Sequence, residues 1–118
     1  MRTSSPKEFS VANLKTELEE ILNKNEHIEA VVIGEHDSDP NKYNDGPARE
    51  ADKLNRVLTW EEAAPILDEE YDDGYGSAEC WPFYAWTNTH IYFVREYDGA
   101  TSIGAIPRNP QDIDPDFQ

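Results

Sequence analysis

The chain has 118 residues, and its 25 acidic against 10 basic side chains give a formal net charge of −15 and a sequence pI near 4.3. This length fits one domain with a modest core. The charge disfavours direct binding to nucleic-acid phosphates or to an anionic membrane. Cys80 is the single cysteine, which excludes an internal disulfide. Because no hydrophobic N-terminal segment and no apolar run of about 18–20 residues is present, we expect a cytoplasmic protein.

The first half of the chain predicts one helix, one strand and a long loop. Apolar residues recur on one face from about Val11 to Asn23, which indicates a helix capped by Ser10. Residues 28–36 are rich in β-branched side chains and predict a strand. Residues 37–55 contain two prolines and a glycine, and they predict a loop with a helical turn near residues 48–54.

A second helix is predicted to begin at about Trp60. Thr59 and Glu62 have the spacing of a capping box, in which each side chain accepts a hydrogen bond from the other residue's backbone N–H. Pro65 lies beyond the first turn and should kink or shorten this helix.

The C-terminal half predicts antiparallel strands. The segments FYAWT, HIYFVREY and ATSIGAI follow one another with short turns between them. Asp98-Gly99 is typical of a two-residue type I′ turn, which would pair Val94 with Ile103. The same register pairs Tyr97 with Ala100 and Ile91 with Ile106.

The element order α-β-α-β-β-β predicts an α+β domain, with an antiparallel sheet of about four strands and two helices packed on one face. Neither strand face is cleanly apolar, so the pattern does not identify the face that the helices cover. We expect the domain to span residues 10–107, with a flexible arm at residues 1–9. Three prolines within residues 107–118 predict an extended, acidic tail at residues 108–118 that is dispensable for folding.

The most unusual feature is an acidic run near the middle of the chain. Residues 68–73 hold five carboxylates interrupted only by Tyr71, and no Lys or Arg occurs between Arg56 and Arg95. Residues 57–94 sum to −8, which is more than half of the net charge. Calcium binding, catalysis, simple solvation and attraction of a basic partner are four interpretations of this run.

The acidic run matches part of the sequence pattern of an EF-hand calcium site. Asp68, Glu70 and Asp72 occupy positions 1, 3 and 5 of an EF-hand loop, but position 6 is Asp73 where a glycine is required. Residues 37–41 (DSDPN) show a similar incomplete pattern. A small acidic module that binds a ligand or calcium therefore remains one alternative.

Catalysis lacks a recognisable motif. Paired carboxylates serve as general acid and base only where their surroundings separate their pKa values, and a solvated run does not do so. His27, His36 and His90 have no metal-ligand spacing, and Cys80 can be a small buried hydrophobe. We expect no enzymatic activity and no cofactor.

A purely solubilising role would explain a run of charged residues, but it would not explain why the run lies at the C-terminal end of the predicted second helix. If the second helix reaches Glu70, the acids from Asp68 onwards lie at its negative end, and Asp68/Asp72 and Glu69/Asp73 form like-charge i,i+4 pairs. Carboxylates three or four apart on a helix lie about 5–6 Å apart, which is comparable to the separation of phosphates along a nucleic-acid strand. Nearby Tyr71, Tyr75 and Trp81 would serve as aromatic anchors, although core packing is the expected role of Trp81 and Trp86.

The sequence therefore favours a protein whose acidic surface imitates the charge of nucleic acid. We expect a non-enzymatic inhibitor that binds a basic nucleic-acid-binding protein, such as a nuclease, CRISPR effector or restriction enzyme, in the manner of phage anti-defence proteins acting in the host cytoplasm. An immunity protein for a nuclease toxin is an alternative, and a homodimer is compatible with the sequence. The predicted binding residues are Glu61, Glu62, Asp68, Glu69, Glu70, Tyr71, Asp72, Asp73, Tyr75 and Glu79.

Overall fold

The computed structural model describes residues 11–36, 50–72, 80–97 and 100–115. In these residues a five-stranded antiparallel sheet, a two-stranded sheet and two α-helices form an α+β fold, as predicted. Neither helix is long and apolar enough to cross a membrane. The elements in chain order are β1 (Val11–Asn13), α1 (Leu14–Ile21), β2 (Ile28–Ile33), a 3-10 turn (Ala51–Lys53), β3 (Val57–Leu58), α2 (Trp60–Leu67), β4 (Glu70–Asp72), β5 (Phe83–Thr87), β6 (His90–Tyr97) and β7 (Ala100–Pro107).

The large sheet has the strand order β3-β2-β5-β6-β7, and its C-terminal hairpin has the predicted register. Val94 pairs with Ile103, and the pairs at both ends of the ladder, Tyr97 with Ala100 and Ile91 with Ile106, also agree. The turn residues Asp98 and Gly99 lie outside the described residues. The two-residue edge strand β3, which pairs with β2, was not predicted.

Helix α2 begins with the predicted capping box. Thr59 Oγ1 accepts from the Glu62 backbone N–H at 3.1 Å, and Glu62 Oε1 accepts from the Thr59 N–H at 2.9 Å. These bonds satisfy N–H groups that would otherwise lack partners at a helix start. The helix contains Pro65 and ends at Leu67, so it is as short as the proline predicts.

The predicted start of helix α1 is wrong. Val11–Asn13 form strand β1, which pairs with β4, and the helix begins at Leu14. Asn13 caps it, because its Oδ1 accepts from the Thr16 N–H at 3.1 Å. The predicted cap, Ser10, lies outside the described residues. Helical periodicity extends through Val11, but the backbone groups of residues 11–13 bond to β4 instead.

The core lies between the helices and one face of the sheet. Because side chains alternate along a strand, Val31, Phe83, Ala85 and Tyr92 point to this face and are buried. The helices contribute buried apolar residues against them, namely Leu14, Leu18, Ala63, Ile66 and Leu67.

A buried carboxylate connects the loop after α1 to the sheet. The Glu26 side chain is only 1% exposed. Its oxygens accept from Thr87 Oγ1 at 2.6 Å, from the Tyr92 hydroxyl at 2.8 and 3.0 Å, and from the Asn23 N–H at 3.1 Å. Burial opposes ionisation, but these donors outweigh it together and hold the pKa of Glu26 at about 2. The carboxylate is therefore a structural part of the fold.

Candidate partner-binding surfaces

The acidic run does not continue helix α2. The helix ends at Leu67, and Glu70–Asp72 form strand β4, with Glu70 opposite Asn13 and Asp72 opposite Val11. Asp68 and Asp72 therefore do not form the helical i,i+4 pair expected for a longer helix, and Asp73 of the other expected pair lies outside the described residues. The described part of the acidic run, residues 68–72, does not have the helical spacing of carboxylates that would imitate phosphates.

Asp68 and Glu69, two acids of the run, accept internal hydrogen bonds. Asp68 Oδ1 accepts from the Asn13 amide at 2.9 Å, which fixes the end of α2 to the start of α1. Glu69 Oε1 accepts from the indole N–H of Trp81 at 3.0 Å. Trp81 is 2% exposed, so its predicted core role is confirmed.

The prediction that Tyr71 is an exposed anchor is wrong. Tyr71 is 7% exposed, and its hydroxyl donates to Glu17 Oε1 at 2.9 Å. Strand alternation explains this burial, because in β4 the side chain of Tyr71 points to the opposite side from that of Glu70. An aromatic side chain there packs into the core and keeps a partner for its hydroxyl.

The remaining predicted residues divide into capping, exposed and undescribed positions. Glu62 caps α2, and its hydrogen bond with the Thr59 backbone lowers the pKa of its carboxyl. Glu61 is exposed in the first turn of the same helix. Only the backbone of Asp72 is described, and Asp73, Tyr75 and Glu79 lie outside the described residues.

Pairing of β1 with β4 creates an acidic groove that the sequence did not predict. Glu17 and Glu20 from α1 meet Glu70 from β4 along it. The other described lining residues, Val11, Ala12, Asn13 and Thr16, carry no charge. The i,i+3 spacing of Glu17 and Glu20 is visible in the sequence, but their proximity to Glu70 depends on long-range strand pairing.

This groove suits a cationic partner better than a bound metal ion. The described residues contain no group of three or more His, Cys, Asp or Glu side chains arranged to hold a metal. An EF-hand loop starting at Asp68 would need an irregular turn where β4 forms a ladder. Carboxylates on separate elements can instead attract Lys and Arg side chains over a wider area.

The second surface is the face of the sheet opposite the helices, which we call the open face. Trp86 lies on this face and is half-buried, so the prediction that it packs in the core is wrong. The Tyr84 and Trp86 rings lie 6.1 Å apart in an edge-to-face arrangement. The apolar residues of the open face are Val32, Val57, Tyr84, Trp86, Ile91, Phe93 and Ile106.

The single cysteine of the chain, which would be its strongest nucleophile, is buried. Cys80 is 7% exposed, and burial raises the pKa of its thiol to about 12. The thiolate needed for nucleophilic attack is therefore disfavoured at neutral pH. His36 is also buried, with its ring 4.9 Å from that of Trp81.

Comparisons with known proteins give no family for this chain. Searches against protein-family models, curated proteins and solved structures found no match.

Proposed function

We propose that this protein is a non-enzymatic inhibitor that binds a basic nucleic-acid-binding protein through the acidic groove and the carboxylates around it. Nucleases, CRISPR effectors and restriction enzymes are partners of this chemistry, and the proposal places the complex in the cytoplasm of the cell that contains them. The observation that carries it is the meeting of Glu17, Glu20 and Glu70 on one groove, whose other described lining residues are uncharged.

Electrostatics support this choice of partner. A net charge of −15 repels nucleic acid and anionic surfaces and attracts basic proteins over long range. Attraction of this kind acts mainly on the association rate, and salt screens it with a Debye length of about 8 Å at 0.15 M. A groove that binds DNA in the partner would present the Lys and Arg side chains that these carboxylates can pair with.

The proposed resemblance to nucleic acid is one of charge and does not depend on a helical acidic run at residues 68–73. We assign the main binding role to Glu17, Glu20 and Glu70, because they line the groove, and to the exposed Glu61, whereas Asp68, Glu69 and Glu62 fix other parts of the fold through hydrogen bonds. Glu17 also accepts from Tyr71, which holds its carboxylate in a fixed position at the groove. A charge held in place loses less conformational entropy on binding than a mobile one.

Affinity capture with a matched pair of variants tests the proposal. Glu20→Gln with Glu70→Gln removes two charges from the groove, whereas Asp112→Asn with Asp114→Asn removes two from the C-terminal segment. Both variants have the same net charge, and all four carboxylates are exposed. Each tagged protein is incubated with lysate of the native host at low salt, and the column is then eluted with duplex DNA.

The proposal predicts a basic protein that the parent and the C-terminal variant capture and that duplex DNA displaces. The groove variant should capture several-fold less of it, because rim charges govern association. Equal capture by the two variants would contradict the role of the groove. A captured protein that DNA does not displace would contradict a decoy for nucleic acid.

A further inference from the structure

The open face of the sheet differs in composition from the rest of the molecule. Of all residues in the chain, 30% are charged, yet among the described outward positions that strand pairing assigns, Arg95 is the one charged side chain. Its Nε atom is buried and has no hydrogen-bond acceptor there. Glu29 lies at the register shift of β2 and is assigned to neither face. The described outward positions are Ala30, Val32, Val57, Tyr84, Trp86, Ile91, Phe93, Arg95, Ala100, Ser102, Gly104 and Ile106.

Three of these apolar side chains are largely exposed. Val57 is 71% exposed, Tyr84 57% and Ile106 42%. An aromatic side chain buries about 150–250 Å² when fully covered, so Tyr84 alone leaves on the order of 100 Å² uncovered. The seven apolar residues together offer roughly 400–500 Å², which is the size of the largest apolar patch on a typical soluble monomer, and such patches are often functional.

The charge distribution restricts what can cover this face. A nucleic acid would be repelled by the net charge, and a basic partner would gain little from a face whose paired outward positions in the described residues carry no carboxylate. A second copy of this chain can approach here without bringing two acidic surfaces together, because Glu17, Glu20 and Glu70 lie on the helix side. Two copies would bury close to the roughly 1,000 Å² that separates specific interfaces from incidental ones.

We propose that two copies of the chain pack open face to open face, with the Tyr84, Trp86 and Phe93 rings at the centre of the interface. Sheets packed in this way lie about 10 Å apart with interdigitating side chains. The interface is at the small end of the specific range, and repulsion between two chains of charge −15 opposes association, so we expect a weak dimer with a dissociation constant on the order of micromolar. The acidic grooves of both copies stay exposed, so this proposal does not depend on the proposed function.

Sedimentation equilibrium over a roughly hundredfold concentration range tests the dimer, because a micromolar constant falls within it. The parent should shift from monomer to dimer with rising concentration, and salt should strengthen the dimer by screening repulsion between two chains of charge −15. Binding of a basic partner to the groove should respond to salt in the opposite direction, which separates the two proposals.

Two substitutions at one position separate apolar packing from net charge. Both Tyr84→Glu and Tyr84→Lys should weaken the dimer at least tenfold, because each places a charge in the apolar centre. Thr16→Glu and Thr16→Lys are the controls, since Thr16 is exposed on α1, and they should leave the dimer nearly unchanged. Melting temperatures within a few degrees of the parent would show that all four variants are folded.

Three results would overturn the proposal. The first is a parent that stays monomeric at the highest concentration in high salt. The second is a dimer that both Tyr84 variants leave intact. The third is a monomeric parent whose capture of the basic partner is abolished by both Tyr84 substitutions, which would assign the open face to that partner.

Discussion

Replacement of the buried Glu26 should be among the most destabilising conservative changes in this protein. Its side chain is 1% exposed, and its pKa falls from 4.5 to about 2 in the folded state. A shift of this size corresponds to roughly 3 kcal/mol of extra stability at neutral pH. Glu26→Gln keeps the size of the side chain but removes the charge that Thr87 and Tyr92 donate to. We expect it to lower the free energy of unfolding by about 2–3 kcal/mol.

The pH dependence gives this prediction a specific signature. Because the folded-state pKa is depressed, the contribution of Glu26 is fully present above about pH 4.5 and is lost as the pH falls towards 2. The difference in stability between parent and Glu26→Gln should therefore be largest at pH 7 and shrink below pH 4.5. Both proteins share all the other carboxylates, so the titration of those groups cancels in this difference.

Urea unfolding followed by tryptophan fluorescence measures both quantities. Glu19→Gln is the matched control, because Glu19 is an exposed carboxylate that pairs with Lys15 on α1. It removes the same charge and should change stability by much less. A loss below about 0.5 kcal/mol for Glu26→Gln, or a difference that does not vary from pH 7 to pH 3, would refute the assignment of Glu26 as a stabilising buried charge.

Three further outcomes follow from single contacts. Thr59→Ala removes the cap that Glu62 completes and should cost about 1 kcal/mol in urea unfolding, and an unchanged midpoint would show that the cap is not formed. Cys80 is buried with a raised thiol pKa, so Ellman's reagent should label it only after denaturant is added, and fast labelling of the native protein would contradict this burial. Arg108 contacts Glu29 and donates to the Thr87 carbonyl at 2.7 Å. A chain ending at Arg108 should therefore melt close to the parent, and one ending at Pro107 should melt lower, whereas equal melting temperatures would show that this contact does not stabilise the fold.

Local signals account for the parts of the fold that the sequence predicts correctly. The capping box of Thr59 and Glu62 needs only a spacing of three residues, and the register of Val94 with Ile103 follows from a two-residue turn. In both cases the interacting groups are close in the chain. Their geometry therefore depends little on the rest of the molecule.

Long-range pairing explains most of the errors. Strands β1 and β4 have three residues each and join Val11 to Asp72, so they carry no usable periodicity of their own. Because of this pairing, helix α1 begins at Leu14 and not at Val11. The acidic residues 70–72 form a strand and not a helix, and Tyr71 is buried. It also forms the acidic groove, which no local pattern could have indicated.

The sequence did not identify the open face, and the reason is different. Tyr84, Trp86 and Phe93 have the composition of a core, and apolar residues occur on both faces of strands β5 and β6. Alternation alone cannot identify the face that the helices cover when both faces are apolar. The apolar face that the helices leave uncovered is the basis of the proposed dimer.

The association rate of the captured basic protein with the groove variant tests the central claim most directly. With the partner immobilised at about 0.15 M salt, the account predicts that Glu20→Gln with Glu70→Gln associates several-fold more slowly than the parent, while Asp112→Asn with Asp114→Asn associates at nearly the parental rate. The difference between the two variants should narrow as salt increases. Equal association rates for the two variants at every salt concentration would contradict the acidic groove as the binding site.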